Sequence, residues 1–162
     1  MFRLIIVLAI VGMSFAQEFE MSAPYMLLGL NSRAVTQENP HGLKGAGGKD
    51  RGAGTCRKGA PAFRNVKPGE TKVLCDIPGP GMIRHLWMTV NDFSSPELMR
   101  SYIVRIYWDD ANYPSVEVPM GDFFGIAHGR TAHFSSPWLT TPEGHGFNCY
   151  FPMSFARGAR IT

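Results

Sequence analysis

The residues best equipped for chemistry in this 162-residue chain are Glu38, Asn39, Trp108, Asp109, Asp122 and Phe123. Carboxylates and planar amides accept from and donate to paired hydroxyls, and an aromatic face covers the C–H side of a ring. The set suits the holding of a hydroxyl-rich ligand more than the breaking of a bond. Asp109 and Asp110 are adjacent, but neighbours on a strand point to opposite faces, so they do not flank one bond. As turn and sheet-edge acids they also have a structural reading, and so does each of the other candidates. Glu38 and Asp122 converge only through the fold.

Other chemistries find less support. His128, His133 and His145 lie in or beside loops, without the HxH pair of a strand-borne metal site, and CxxC and HxxxH are absent. Neither a metal nor a cofactor is expected. The stretch Gly45 to Gly59 holds six glycines with Lys49, Arg51, Arg57 and Lys58. The phosphate-binding order GxxxxGK[ST] is missing, so it reads as a solvated loop, or as a lid over a sugar. No GxSxG occurs.

These side chains need strands to aim them. Val104, Ile106 and Trp108 alternate with Arg105, Tyr107 and Asp109, Asp110 to Pro114 are turn formers, and Val116, Val118 and Met120 return. This predicts a β-hairpin ending in a loop, Gly121 to Gly125, that carries Asp122 and the two phenylalanines. Further strands are expected at Ala62–Val66, at Lys72–Ile77 with Val73, Cys75 and Ile77 on one side, and at Met82–Val90 with Leu86 in the core row. His85 and Trp87 share the opposite face of that last strand, as a second packed layer or a binding surface, and Trp87 and Trp108 suit a core. Ser95, Pro96 and Glu97 start a helix of one or two turns. Ile126–Pro137 reads as a loop, Phe147–Met153 as an apolar strand, and Arg157–Thr162 as a final strand without a partner. The 18 glycines and 12 prolines favour an all-β build. About seven short strands with frequent turns predict a jelly-roll β-sandwich.

Residues 1–16 read as a secretory signal, with Arg3, the apolar run Leu4 to Val11 and the small-x-small site Ser14 to Ala16. The run is short for a membrane span of about 20 residues. The expected location is secreted or periplasmic, with no membrane association after cleavage. A formal charge of +3 is too small to imply nucleic acid. Export puts Cys56, Cys75 and Cys149 in an oxidising compartment. Cys56 has Cys75 as a possible partner, and Cys149 sits in an apolar strand pattern as a small hydrophobe. The organisation is then a signal over 1–16, a polar Gly-rich segment over 17–60, and a jelly-roll sandwich over 61–162 that continues past Thr162.

The stretches SRAVTQENPHGLKGAGG, PGE, DIPGPGMIRHLWMTV, IYWDDANYPSVEVPMGDFFG and NCYFPMSFARGARIT, in that order, resemble the opening half of glycoside hydrolase family 172. The likeness runs from about Ser32 to Thr162, and GDFFG with NCYFPM is its most specific part. It departs at His41, where the family favours threonine, and at Met153–Phe155, where it favours MPF. The resemblance implies a jelly-roll core, homo-oligomers, and retaining action on fructofuranose- or arabinofuranose-type linkages. Retaining enzymes use two carboxylates about 5–5.5 Å apart. The resemblance places that pair beyond residue 162, so no position of this chain is assigned as catalytic. The alternative is a non-catalytic carbohydrate-binding or self-assembling jelly-roll scaffold.

Overall fold

Three short strands early in the chain answer three late ones in reverse order. In a computed structural model that describes residues 30–49, 62, 63, 65–92 and 94–162, β1 (Cys75–Pro78), β2 (Gly81–Ile83) and β3 (Leu86–Met88) come first. They pair antiparallel with β10 (Gly158–Ile161), β9 (Met153–Phe155) and β8 (Phe147–Cys149). The ribbon bends twice. At the first bend the backbones nearly touch: a Cβ on Gly79 would lie 2.5 Å from the carbonyl carbon of Arg157. At the second, residues 84–85 oppose residues 150–152, so one strand carries an extra residue. Such a bulge kinks a ribbon and lets it pass from one sheet to another. The alternation from Met82 to Val90 runs through this kink, which is why one expected strand is two.

The ribbon joins two four-stranded sheets, ordered β1-β10-β4-β5 and β3-β8-β7-β6, with β2-β9 between them in the chain. The first contains the expected hairpin, β4 (Ile103–Trp108) and β5 (Val116–Pro119), in register Ile106↔Val116. The second adds β6 (Phe134–Ser135) and β7 (Leu139–Thr141). All strand pairs are antiparallel, so the fold is all-β, with ten strands among the described residues where about seven were expected. The final strand is not left unpaired: β10 lies between β1 and β4, with ladders on both sides. Thr162 continues it, exchanging both backbone hydrogen bonds with Arg105 at 2.9 Å.

Side chains from both sheets and both helices form one core. Val104, Ile106, Cys75 and Ile161 come from the first sheet, Leu86, Phe147 and Cys149 from the second, Met99 from α1 and Met120 from α2, with Phe124 following. Burying each large apolar side chain contributes about 1.5–3 kcal/mol. Helix α1 (Pro96–Ser101) starts as its sequence predicts, with the Ser95 hydroxyl accepting from the Leu98 amide. Helix α2 (Met120–Phe123) replaces the expected loop: the Phe124 amide reaches back to Met120 and Gly121, and Gly125 closes the turn at φ +80°.

Several side chains sit elsewhere than expected. Trp87 is 57% exposed and not core, and Val73 precedes β1 with its side chain exposed. Trp108 is half-buried against the core and stacks on Phe155. The described residues of 62–66 form no strand, and the 126–137 stretch contains a 3-10 turn, Ala127–Gly129, as well as β6. Cys75 and Cys149 are buried free thiols. The leader, Cys56, and Arg51, Arg57 and Lys58 of the Gly-rich loop lie outside the described residues.

Candidate functional site

Helix α1, helix α2 and the Ala127–Gly129 turn border an open cleft of 550 Å³, lined by Pro96, Glu97, Arg100, Asp122, Gly125, Ala127 and His128. That volume is in the ordinary range for a small-ligand site. One glycine lets the walls meet. A Cβ at Gly129 (φ +67°) would come 2.3 Å from the Pro96 carbonyl oxygen, so only glycine lets the turn rest against the start of α1. His128 precedes it at φ +60°, an uncommon backbone state that collects at functional sites.

Polar groups converge in the cleft. Arg100 Nη1 donates to both carboxylate oxygens of Asp122 at 2.7 Å. The remaining guanidinium donors are left for other acceptors. Glu97 is held below the usual carboxylate range, first by its own backbone amide and then by the Ser95 hydroxyl. An acid so held is anionic at neutral pH and a poor proton donor. The cleft therefore accepts and donates hydrogen bonds to hydroxyls better than it transfers protons.

A second cleft, of 470 Å³, lies along the first sheet, with His41, Asp76, Tyr107, Asp110, Arg157 and Arg160 on its walls. Its polar groups are largely spent on each other. Arg157 Nε donates to Asp110 at 3.2 Å, the Arg160 guanidinium covers the Tyr107 ring at 4.1 Å, and His41 Nδ1 lies 2.7 Å from the Asp76 carbonyl. With its cations and its aromatic face engaged, it is the weaker candidate.

Of the six residues singled out in the sequence, Asp122 alone lines either cleft. Phe123 follows it on α2 and meets Phe124 edge-on at 5.0 Å, supporting the wall from the core side. Asp109 accepts at Oδ1 from the amides of Ala156 and Arg157, at 2.8 and 2.7 Å. The Arg157 amide chiefly holds its carboxyl below the usual range. Trp108 stands beside it at the end of β4. Asn39 is 4% exposed; its Nδ2 donates to the carbonyls of Ala34 and Leu43, and its Oδ1 accepts from the Leu43 amide. Glu38 accepts from the amides of Gly48 and Lys49. Glu38 and Asn39 thus brace one loop, Trp108 and Asp109 one turn, and Asp122 with Phe123 one cleft wall.

Sequence reasoning missed Glu97, Arg100 and His128. The Gly125 and Gly129 punctuation around His128 was the one local signal for a tight turn there; nothing local links Arg100 to a residue 22 positions on. Among the described residues no group of three or more His, Cys, Asp or Glu side chains is placed to hold a metal ion.

A family model described as GH172 domain-like matches residues 60–162. No curated protein matches the chain.

Proposed function

The chain belongs to the GH172 family, and from that premise we propose that it forms part of a secreted, retaining glycoside hydrolase acting on furanosides of the fructofuranoside or arabinofuranoside type. The observation that carries this reading is the family match, which covers both walls of the α1–α2 cleft. The cleft supports it chemically: a paired carboxylate and guanidinium, a second carboxylate and an imidazole suit the vicinal hydroxyls of a sugar ring.

In this reading the cleft binds and orients. A retaining mechanism needs one ionised carboxylate as nucleophile and a second that carries a proton to the leaving oxygen. The carboxylates of Asp122, Asp109, Asp110 and Glu38 are each tied to a partner. Glu97 is held ionised. The family resemblance implies that the reacting pair lies beyond residue 162, and in this reading the sandwich presents substrate to it. The leader-like residues 1–16 support export.

Hydrolysis of 4-nitrophenyl α-L-arabinofuranoside and of fructofuranosides by the whole protein tests this. Turnover of at least one furanoside, with pyranosides untouched, is the expected result. Inertness toward every furanoside would overturn it, and binding without turnover would favour a carbohydrate-binding scaffold.

A further inference from the structure

The outer face of the second sheet carries aromatic rings that the cleft does not use. Register sets Trp87 beside Asn148 and Asn148 beside Thr140, while Leu86, Phe147 and Cys149 turn inward to the core. Around this row stand Trp87 at 57% exposure, Phe151 at 44%, Tyr150 at 39% and Trp138 at 36%. Isolated exposed apolar residues are ordinary; several on one face call for a reason.

The rings are fixed rather than loose. Tyr150 stacks on His85 at 4.7 Å with planes 5° apart, and His85 Nε2 hydrogen-bonds Asn148 Oδ1 at 2.9 Å. Trp138 stacks on Phe151 at 5.2 Å and 13°, and its carbonyl accepts from the Tyr150 amide at 2.8 Å. The Trp87 indole packs over Gly146, whose Cβ position lies 3.4 Å from Nε1, ordinary van der Waals contact. Among the described residues, Trp87 Nε1, Trp138 Nε1 and the Tyr150 hydroxyl have no hydrogen-bond partner. Flat rings with unspent donors at their edges match a ligand with apolar C–H faces and hydroxyl rims.

We propose that this face is a second carbohydrate site, a platform on which Trp87 and Tyr150 stack the sugar rings of a neutral polysaccharide, separate from the Arg100–Asp122 cleft. Ordered rings lose little freedom on binding, and their donors meet sugar hydroxyls. The platform binds without catalysing, and it does not depend on whether the cleft hydrolyses anything.

Affinity electrophoresis of the whole protein through gels containing inulin or arabinan tests it. At least one polysaccharide should retard the wild type. Trp87→Ala with Tyr150→Ala should weaken retardation by about tenfold or more, with an unchanged melting temperature showing that the fold persists. Trp87→Phe, which keeps a ring, should retain most of the retardation. Absence of retardation by both polysaccharides overturns the proposal. So does loss in Arg100→Ala but not in the double variant, which assigns binding to the cleft. So does a fall in particle mass by light scattering in the double variant without any polysaccharide effect, which makes the face a contact between copies of the chain.

Discussion

Asp109 and Arg157 hold each other twice. The Arg157 amide donates to Asp109 Oδ1 at 2.7 Å, and the Arg157 guanidinium returns to the Asp109 carbonyl. Asp109 and Asp110 stand at φ +53° and +65°, and the Ala111 amide closes the turn onto the Trp108 carbonyl at 3.0 Å. Both residues thus occupy the left-handed centre of a primed turn, where Asp is favoured. The carboxylate fastens this turn to the β9–β10 bend, joining the hairpin to the ribbon.

Substitutions at 109 should therefore rank by two properties. Asn keeps an acceptor and tolerates positive φ, Gly keeps only the backbone freedom, and Ala keeps neither. Melting temperatures should fall in the order Asp, Asn, Gly, Ala, with Ala lower by several degrees. The folded pKa is depressed, so the stabilisation is fully present above the unfolded value of about 3.9. It is lost as pH falls through the folded value. Asp109→Asn should melt with a shallower dependence on pH in acid than the wild type; parallel curves would contradict this.

Two glycines of similar backbone should respond differently to alanine. Gly69 stands at φ +77° with nothing within 4 Å of an added Cβ, whereas Gly129, at φ +67°, would meet Pro96. Gly69→Ala should cost only the left-handed strain, roughly 1–2 kcal/mol. Gly129→Ala adds a backbone clash and should cost roughly 3 kcal/mol or more. It should also pull the His128 turn off α1 and abolish ligand binding in the cleft. Denaturant titration measures the first effect and calorimetric sugar titration the second.

The parts of this fold that are local were legible in the sequence. Val104 and Ile106 alternate into the core as their period requires, and Ser95 caps α1 as its type requires. Where partners are distant, the sequence was silent. The parity of Trp87 against Leu86 was readable, but an exposed tryptophan reads like a buried one. The central place of β10 depends on Cys75 meeting Ile161 across the whole fold, and no neighbouring residue encodes that. Helix α2 is four residues long, too short for a periodic pattern. Asp122 was recognised as an acid held between glycines, but its arginine lies on another element.

The buried thiols give a chemical test of the core. Burial chiefly pushes Cys75 up from 9.0 to about 11, and Cys149 is raised by the same cause. Thiolate is the reactive form, so native Cys75 and Cys149 should resist iodoacetamide at pH 8 and react only on unfolding. The unfolded chain releases the Cys75 proton at lower pH than the folded one. Stability should therefore decline as pH rises from about 9 toward about 11. Cys75→Ala should flatten that decline, at the cost of a smaller core.

The Arg100–Asp122 pair separates a binding role from a structural one. Its side chains are 46% and 27% exposed, and ion pairs this open contribute about 0–1 kcal/mol to stability. If the pair only ties α1 to α2, Arg100→Ala and Asp122→Asn should change little of anything, because Met99 and Phe124 hold those segments in the core. If the pair meets substrate, each variant should fold normally and lose about tenfold or more in kcat/KM on the best furanoside. Asp122→Asn keeps the shape and removes the charge that orients Arg100, so its loss should appear in KM as well as kcat. A charge-swapped Arg100→Asp, Asp122→Arg protein would restore the tie between the helices but not the geometry toward a sugar. Normal melting with persistent inactivity in that double variant is the expected outcome. Recovery of turnover would assign the pair to scaffolding and move the binding site elsewhere.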